Sequence, residues 1–246
     1  MIKCVFTLIL CIGYSGVGCM AKKLYPLLSG GIDSTIATLK RIQVRDFCEL
    51  QPIFVDYGQK ARELEWESVL AVSQGIAGFG DNTSIMFRRP KRIVLSCMTD
   101  QNRIFQWSRS RLIIGNSGED PYVENRNMIL VSTAASYVES QIKEFEYGGI
   151  ITGFRDEYPD TKREFVASLN HLFRILLADT KKTIRIEIPI MKYGPAGKGK
   201  LLSDFEKYRE IINLTWSCYE PKSGKPCGKC QACTGRKFAF AEAFGQ

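Results

Sequence analysis

Short apolar runs alternate with amphipathic segments along most of this chain, beginning near residue 24. The apolar runs have the length of buried strands, whereas the amphipathic segments show the spacing of helices. Regular alternation of strands and helices predicts an α/β fold with a doubly wound, Rossmann-like parallel sheet. The predicted strands lie at residues 24–28, 52–55, 85–87, 149–153 and 184–189, and the predicted helices at residues 36–45, 60–74, 128–137, 165–177 and 198–208.

The first strand leads into a turn that is rich in glycine and hydroxyl groups, Leu28-Ser29-Gly30-Gly31-Ile32-Asp33-Ser34-Thr35. Adjacent glycines allow positive φ and let an anion approach the backbone. Ser34 and Thr35 add hydroxyl donors at a helix N-terminus, where free N–H groups and the helix dipole favour phosphate. Asp33 fits beside phosphates if it holds a metal ion or orients the loop.

The spacing of this turn matches neither the G-x-x-x-x-G-K-[ST] loop nor the dinucleotide G-x-G-x-x-G fingerprint. It resembles the S-G-G-x-D-S pyrophosphate loop of enzymes that use ATP to adenylate a carboxylate, an amide or an RNA base. An ordinary Ser/Gly turn before a helix is the alternative interpretation.

Polar residues also follow the later strands. Asp56-Tyr57-Gly58-Gln59 follows the second strand, and a loop at residues 154–163 follows the strand at residues 149–153. In doubly wound sheets the carboxyl ends of the strands are where ligands bind. Arg126 and Asn127 stand at the start of a predicted helix, where the arginine can form a salt bridge or hold a phosphate or carboxylate.

Four of the nine cysteines lie near the C-terminus, at Cys218, Cys227, Cys230 and Cys233. Two overlapping C-x-x-C spacings, with Gly228 allowing a tight turn, predict a tetrahedral Zn²⁺ site. Four sulfur ligands leave no position for water, so the metal would be structural and would pin the C-terminal segment. A disulfide pair or an iron–sulfur cluster is the alternative.

Composition and charge narrow the classes of function. The 246 residues and 45% apolar content allow one full hydrophobic core with an appendage. A formal charge of +8 suits a polyanionic ligand such as ATP or nucleic acid. The single histidine, His171, lies in a predicted helix, which argues against a His-dependent triad or a His-rich metal centre.

The chain divides into three predicted parts. Residues 1–20 have the charged and apolar regions of a secretion signal, but an ATP site and metal-type cysteines argue against export. We therefore expect a cytoplasmic protein whose functional domain begins at Met20, with an α/β domain at residues 21–213 and a zinc-binding segment at residues 214–246. Residues 88–121 lack clear periodicity and predict an excursion that caps the site or contacts a partner.

These motifs, taken in order, resemble the 7-cyano-7-deazaguanine synthase family, which makes the nitrile precursor of queuosine and archaeosine. The likeness covers residues 24–237 and rests on the glycine turn, the C-terminal cysteines, Asp56-Tyr57-Gly58-Gln59, Arg126-Asn127, Ile151-Thr152-Gly153, Tyr158-Pro159-Asp160 and Cys218-Tyr219. The resemblance implies an adenine nucleotide alpha hydrolase-like fold and a homodimer.

The resemblance also implies a reaction. The carboxylate of 7-carboxy-7-deazaguanine is adenylated by ATP, ammonia displaces AMP to form an amide, and a second adenylation leads to the nitrile. Mg²⁺ would bridge the phosphates. Residues 28–35 and 56–59 would bind ATP. The candidate catalytic residues are Asp33, Ser34 and Arg126, and the candidate substrate-binding residues are Arg126, Asn127, Tyr158, Asp160 and Arg163.

The chain departs from the family pattern at three places. Asn125 stands where a glycine is common, residues 154–157 are shorter than the usual acidic stretch, and Thr161 replaces a cysteine. One alternative is therefore a divergent member that transfers a deazaguanine carboxylate to a protein or nucleic-acid amine, as in some antiviral or phage modification systems. A zinc-ribbon nucleic-acid-binding module without chemistry is a second alternative.

Overall fold

The computed structural model describes residues 21–78, 85–95, 125–194 and 197–245. The described strands are β1 (Lys22–Pro26), β2 (Glu49–Leu50), β3 (Ile53–Asp56), β4 (Met86–Phe87), β5 (Lys91–Val94), β6 (Tyr147–Ile151) and β7 (Thr183–Glu187). All pairs of these strands are parallel, in a sheet of order β4-β2-β1-β6-β7 and a second pair formed by β3 and β5.

Helices cover both faces of the sheet. The described α-helices are α1 (Ile32–Ile42), α2 (Arg62–Gly78), α3 (Arg126–Gln141), α4 (Arg163–Leu176), α5 (Lys198–Asp204), α6 (Arg209–Asn213) and α7 (Gln231–Phe244). Successive strand residues point to opposite faces, so Leu24 joins one hydrophobic core with α1, α2, α5, α6 and α7, whereas Tyr25 joins a second core with α3 and α4. The predicted doubly wound α/β fold is therefore confirmed.

The glycine turn lies at the middle of the carboxyl edge of the sheet. Beyond β1, Leu27 donates its backbone N–H to Ile151 O at 2.9 Å, and Leu28 donates to Ile53 O at 2.8 Å. The chain therefore leaves β1 between the ends of β3 and β6. Strand order reverses between β1 and β6, which is the position where ligands bind in open α/β sheets.

The sequence pattern did not indicate every strand. The two-residue β2 is too short to leave a periodic signal, and β5 lies at the start of the segment expected to be an excursion. The rest of that excursion, residues 96–121, and the extension at residues 1–20 lie outside the described residues, so their roles stay predictions. Among the helices that the structure describes, none has both the length and the apolar character needed to cross a membrane.

Candidate functional site

The turn after β1 is closed by its own hydroxyl groups. Gly30 has φ +75°, which favours glycine, and a Cβ there would lie 2.7 Å from Glu65 O. Thr35 Oγ1 donates to Gly31 O at 2.8 Å, and the Oγ atoms of Ser29 and Ser34 lie 3.2 Å apart. Thr35 is fully buried, so its hydroxyl shapes the turn from within the protein. Ser29 is exposed and Gly31 is partly exposed, so these two residues face solvent.

Asp33 projects from the first turn of α1 and meets two cations that the sequence did not indicate. Its Oδ1 lies 3.3 Å from Arg155 Nε, and its Oδ2 lies 3.4 Å from Lys198 Nζ. Arg155 follows β6, and Lys198 begins α5. The close approach of the β6 end is possible because residue 153 is glycine, where a Cβ would lie 2.6 Å from Ser34 N.

Asp56 stabilises the neighbouring loop through contacts within the protein. Its side chain is buried, and it forms an ion pair with Arg92 at 2.6 Å while accepting from Gly58 N at 3.0 Å. Arg92 also contacts Glu63 at 2.6 Å. The Asp56 carboxylate is therefore occupied, and its contribution to a nucleotide site would be the shape of the loop.

The end of this loop leads to a partly buried polar cluster. Gln59 Oε1 accepts from Tyr57 N at 3.0 Å, and Gln59 Nε2 donates to Glu65 Oε2 at 2.8 Å. The side chain of Tyr57 also lies within electrostatic range of Arg126, the first residue of α3. Burial raises the pKa of Glu65 to about 7, although Gln59 and Arg126 act in the opposite direction. Glu65 can therefore hold or release a proton near neutral pH.

Asp160 is placed against the start of α3. This carboxylate is 7% exposed, and its Oδ2 accepts the backbone N–H of Asn127 at 3.4 Å. Asp160 Oδ1 is buried and accepts no hydrogen bond from any residue that the structure describes. Asp160 and Tyr219 lie within electrostatic range of Arg126. An unsatisfied buried acceptor beside an arginine is suited to a ligand that carries N–H donors.

Two departures from the family pattern have structural explanations. Asn125 adopts φ +58°, a left-handed conformation that asparagine tolerates better than most non-glycine residues. Thr161 Oγ1 accepts the N–H groups of Glu157 and Tyr158 at 3.1 and 2.9 Å. The hydroxyl thus fastens the shortened loop. Arg163 is exposed on the first turn of α4, and its substrate role stays a prediction.

The four C-terminal cysteines come together as free thiols, as predicted. The sulfur atoms of Cys218, Cys227, Cys230 and Cys233 all lie within 4.8 Å of one another. Sulfur ligands at about 2.3 Å from one tetrahedral Zn²⁺ would be about 3.8 Å apart. Backbone N–H groups of Lys229 and Cys230 lower the pKa of Cys227 to about 6, which favours the thiolate that metals bind. The cluster can hold a metal ion such as zinc.

The cysteine segment touches the glycine turn directly. Trp216 donates its backbone N–H to Gly30 O at 2.8 Å and its indole Nε1–H to Cys218 O at 2.7 Å. On the other side, Ser68 Oγ also contacts Gly30 O, at 2.9 Å. Arg236 of α7 contacts Ser217 Oγ at 3.2 Å. The segment that carries the four cysteines therefore packs against the glycine turn.

The structure thus brings together five ionisable side chains that the sequence pattern does not place at the site, or places there only in part. They share no sequence motif, because they come from α2, β5, the loop after β6, the start of α5 and the cysteine segment. These side chains belong to Glu65, Arg92, Arg155, Lys198 and Tyr219. Two of them carry a signal in the sequence: Arg155 lies in a loop at the carboxyl edge, and Tyr219 directly follows Cys218.

Comparison with known proteins agrees with this geometry. A family model described as "Queuosine biosynthesis protein QueC" matches residues 23–244. A "7-cyano-7-deazaguanine synthase" of Leptospira interrogans is 30% identical over 88% of this chain and 85% of its own length. The protein of that name in Methanothrix thermoacetophila is 30% identical over 88% and 93%. "7-cyano-7-deazaguanine synthase 1" of Colwellia psychrerythraea is 32% identical over 91% and 95%. The chain therefore belongs to the QueC family of queuosine biosynthesis proteins.

Proposed function

We propose that this chain is an ATP-dependent enzyme that converts 7-carboxy-7-deazaguanine and ammonia into 7-cyano-7-deazaguanine. Its relatives carry the name of a synthase of that nitrile. The observation that supports the proposal most strongly is the Asp160 carboxylate, whose buried Oδ1 accepts no hydrogen bond within the described residues.

Asp160 and Arg126 together suit the two ends of such a substrate. A deazaguanine ring presents ring N–H and amino donors, which a carboxylate can accept. Leaving a buried acceptor unsatisfied costs about 1–3 kcal/mol, which a ligand donor would recover. The guanidinium of Arg126 can hold a carboxylate or phosphate through two parallel hydrogen bonds. Asp160 would therefore select the ring, while Arg126 would position the reacting carboxylate.

The proposed reaction balances in three steps. A carboxylate oxygen attacks the α-phosphorus of ATP, and pyrophosphate leaves with the electrons of the broken P–O bond. Ammonia attacks the acyl carbon and loses a proton, AMP departs, and an amide forms. The amide oxygen then attacks a second ATP, releasing pyrophosphate, and loss of AMP with the two N–H protons gives the nitrile. The first attack needs no base, because the acid is already ionised at neutral pH.

Two carboxylates of the site have features that suit this sequence. Asp33 offers Oδ1, a buried oxygen that pairs with Arg155 Nε at 3.3 Å but accepts no hydrogen bond in the described ranges, and carboxylate oxygens are the protein ligands that Mg²⁺ prefers. When bound, Mg²⁺ would neutralise part of the negative charge of the phosphates. Glu65, whose pKa burial raises to about 7, is suited to accept the proton that the attacking amine releases.

Product analysis tests the proposal. The full-length chain is incubated with MgCl₂, ammonium, 7-carboxy-7-deazaguanine and either ATP or its α,β-methylene analogue, which cannot be cleaved at the α-phosphorus. We expect free nitrile and AMP with ATP alone. If no AMP forms from ATP in the presence of this acid, the proposal is wrong. Zinc analysis of the same preparation ensures that the cysteine cluster is loaded.

A second candidate function is favoured by the stretch at residues 154–157. It is shortened, and it places a cationic residue, Arg155, at the site. A divergent family member could pass the adenylated deazaguanine carboxylate to a protein or nucleic-acid amine. In the same assay this function would produce AMP together with a mass-shifted macromolecule instead of free nitrile. A zinc-ribbon binding module without chemistry would release no pyrophosphate at all.

A further inference from the structure

Asp33 is held between two cations that differ in their freedom to move. The Arg155 side chain is 4% exposed, and it also contacts Gly194 O at 2.7 Å and Glu157 Oε2 at 3.2 Å. The Lys198 side chain is 34% exposed, and its ion pair within the described residues is the one with Asp33 at 3.4 Å. The guanidinium is therefore anchored at several points, whereas the flexible lysine can change partner.

The backbone around Lys198 is held against its neighbours, which places the ammonium group at the turn. A Cβ at Gly197 would lie 2.1 Å from Tyr193 O, and one at Gly199 would lie 2.1 Å from Glu242 Cδ of α7. Glycine on both sides permits this close packing. A partly exposed ion pair contributes little to folding, so stability alone does not account for the placement.

The charged side chains around Asp33 allow one ion pair to be exchanged for another when an anionic ligand binds. Arg155 and Lys198 bring two positive charges to the single carboxylate of Asp33, and Asp33 Oδ1 forms an ion pair with Arg155 but accepts no hydrogen bond in the described residues. A polyphosphate that arrives with a divalent cation brings both a partner for Asp33 and new anions for a released ammonium. Each ion pair that is lost can thus be replaced by another.

We propose that Lys198 leaves Asp33 to bind the phosphate oxygens of ATP or pyrophosphate, while Arg155 stays in place and keeps Asp33 aligned for the divalent cation. This inference rests on the proposed function, since it concerns the same polyphosphate. Lys198 is then a phosphate-binding residue, and Arg155 is a positioning residue.

Calorimetric titration of the full-length chain with inorganic pyrophosphate and MgCl₂ tests the role of Lys198. We expect Lys198→Met to weaken binding about 10- to 100-fold, as the loss of a charge-assisted contact does. Lys200→Met is the matched control, because Lys200 is exposed two residues later on the same helix. It removes the same charge and should change binding by less than about threefold, because exposed charges at a distance are screened by salt. Equal affinities for the two variants, with unchanged melting temperatures, would overturn the inference.

The role of Arg155 is tested through the dependence of binding on Mg²⁺. Arg155→Gln should raise the Mg²⁺ concentration needed for half-maximal pyrophosphate binding, and Arg155→Lys should restore part of it. An unchanged Mg²⁺ requirement in Arg155→Gln contradicts the anchoring role. Wild-type chain that binds no pyrophosphate also contradicts the inference. Formation of AMP by that same wild-type preparation would leave the proposed function intact, so the two failures can be distinguished.

Discussion

Replacing Glu65 by glutamine should change how the stability of this protein depends on pH. Burial raises the pKa of Glu65 from its ordinary 4.5 to about 7, against the smaller opposing effects of Gln59 and Arg126. In the unfolded chain the carboxyl loses its proton near pH 4.5, whereas the folded protein retains that proton until about pH 7. Between these values the unfolded state binds fewer protons, so the free energy of unfolding falls as pH rises.

The size of the effect follows from the shift. A pKa difference of about 2.5 corresponds to about 3 kcal/mol at 1.36 kcal/mol per unit, of which about 2–3 kcal/mol develops between pH 5 and pH 8. Glu65→Gln keeps the shape of the side chain and can still pair with Gln59, but it cannot ionise. Relative to wild type, the variant should therefore gain about 2–3 kcal/mol between pH 5 and pH 8.

Urea denaturation at both pH values measures this difference directly, since every other titrating group is shared and cancels. Glu67→Gln is the control, because Glu67 lies on the same helix and is exposed. Its stability relative to wild type should change by less than about 0.5 kcal/mol between the two pH values. A constant difference between Glu65→Gln and wild type, or a gain on acidification, would refute the reasoning.

Three further substitutions test other parts of the site. Gly153→Ala places a Cβ 2.6 Å from Ser34 N, so it should lower the free energy of unfolding by about 1–3 kcal/mol in urea denaturation and weaken ATP binding. The control is Gly235→Ala, whose Cβ would have no heavy atom within 4 Å and which should raise the free energy of unfolding by up to about 1 kcal/mol as a helical alanine. Equal effects of the two substitutions would contradict the packing argument. Asp33→Ala should abolish AMP formation with little change in melting temperature, and retained turnover would place the active site elsewhere. Cys227→Ser should release the bound metal and lower the melting temperature by several degrees. If the variant still held one zinc ion per chain tightly, the four-ligand site would be contradicted.

The sequence predicts those features of the fold and the site that are encoded by residues close together in the chain. The sequence predicts β1, the glycine turn and α1 together, because the patterns typical of a strand, a turn and a helix follow one another within a few residues. The cysteine cluster was identified because C-x-x-C spacing reports metal geometry. In contrast, Glu65, Arg155 and Lys198 resemble ordinary surface charges in the sequence, since their partners are distant in the chain. Their placement depends on tertiary packing, which single-sequence patterns do not record.

The same limit explains why the C-terminal cysteines look like an appendage in the sequence, although their segment packs against the glycine turn. Trp216 links Gly30 O to the Cys218 backbone, and the other donor to Gly30 O, Ser68 Oγ, also lies 2.8 Å from Leu214 O. One hydroxyl proton cannot serve both carbonyls fully, so Gly30 depends on Trp216 for a well-made hydrogen bond. Release of metal would free the segment around Cys218 and loosen the turn that we propose binds ATP. Because coupling between the free energies of binding at two sites is reciprocal, bound nucleotide should in turn raise the chelator concentration needed to remove half of the metal at equilibrium.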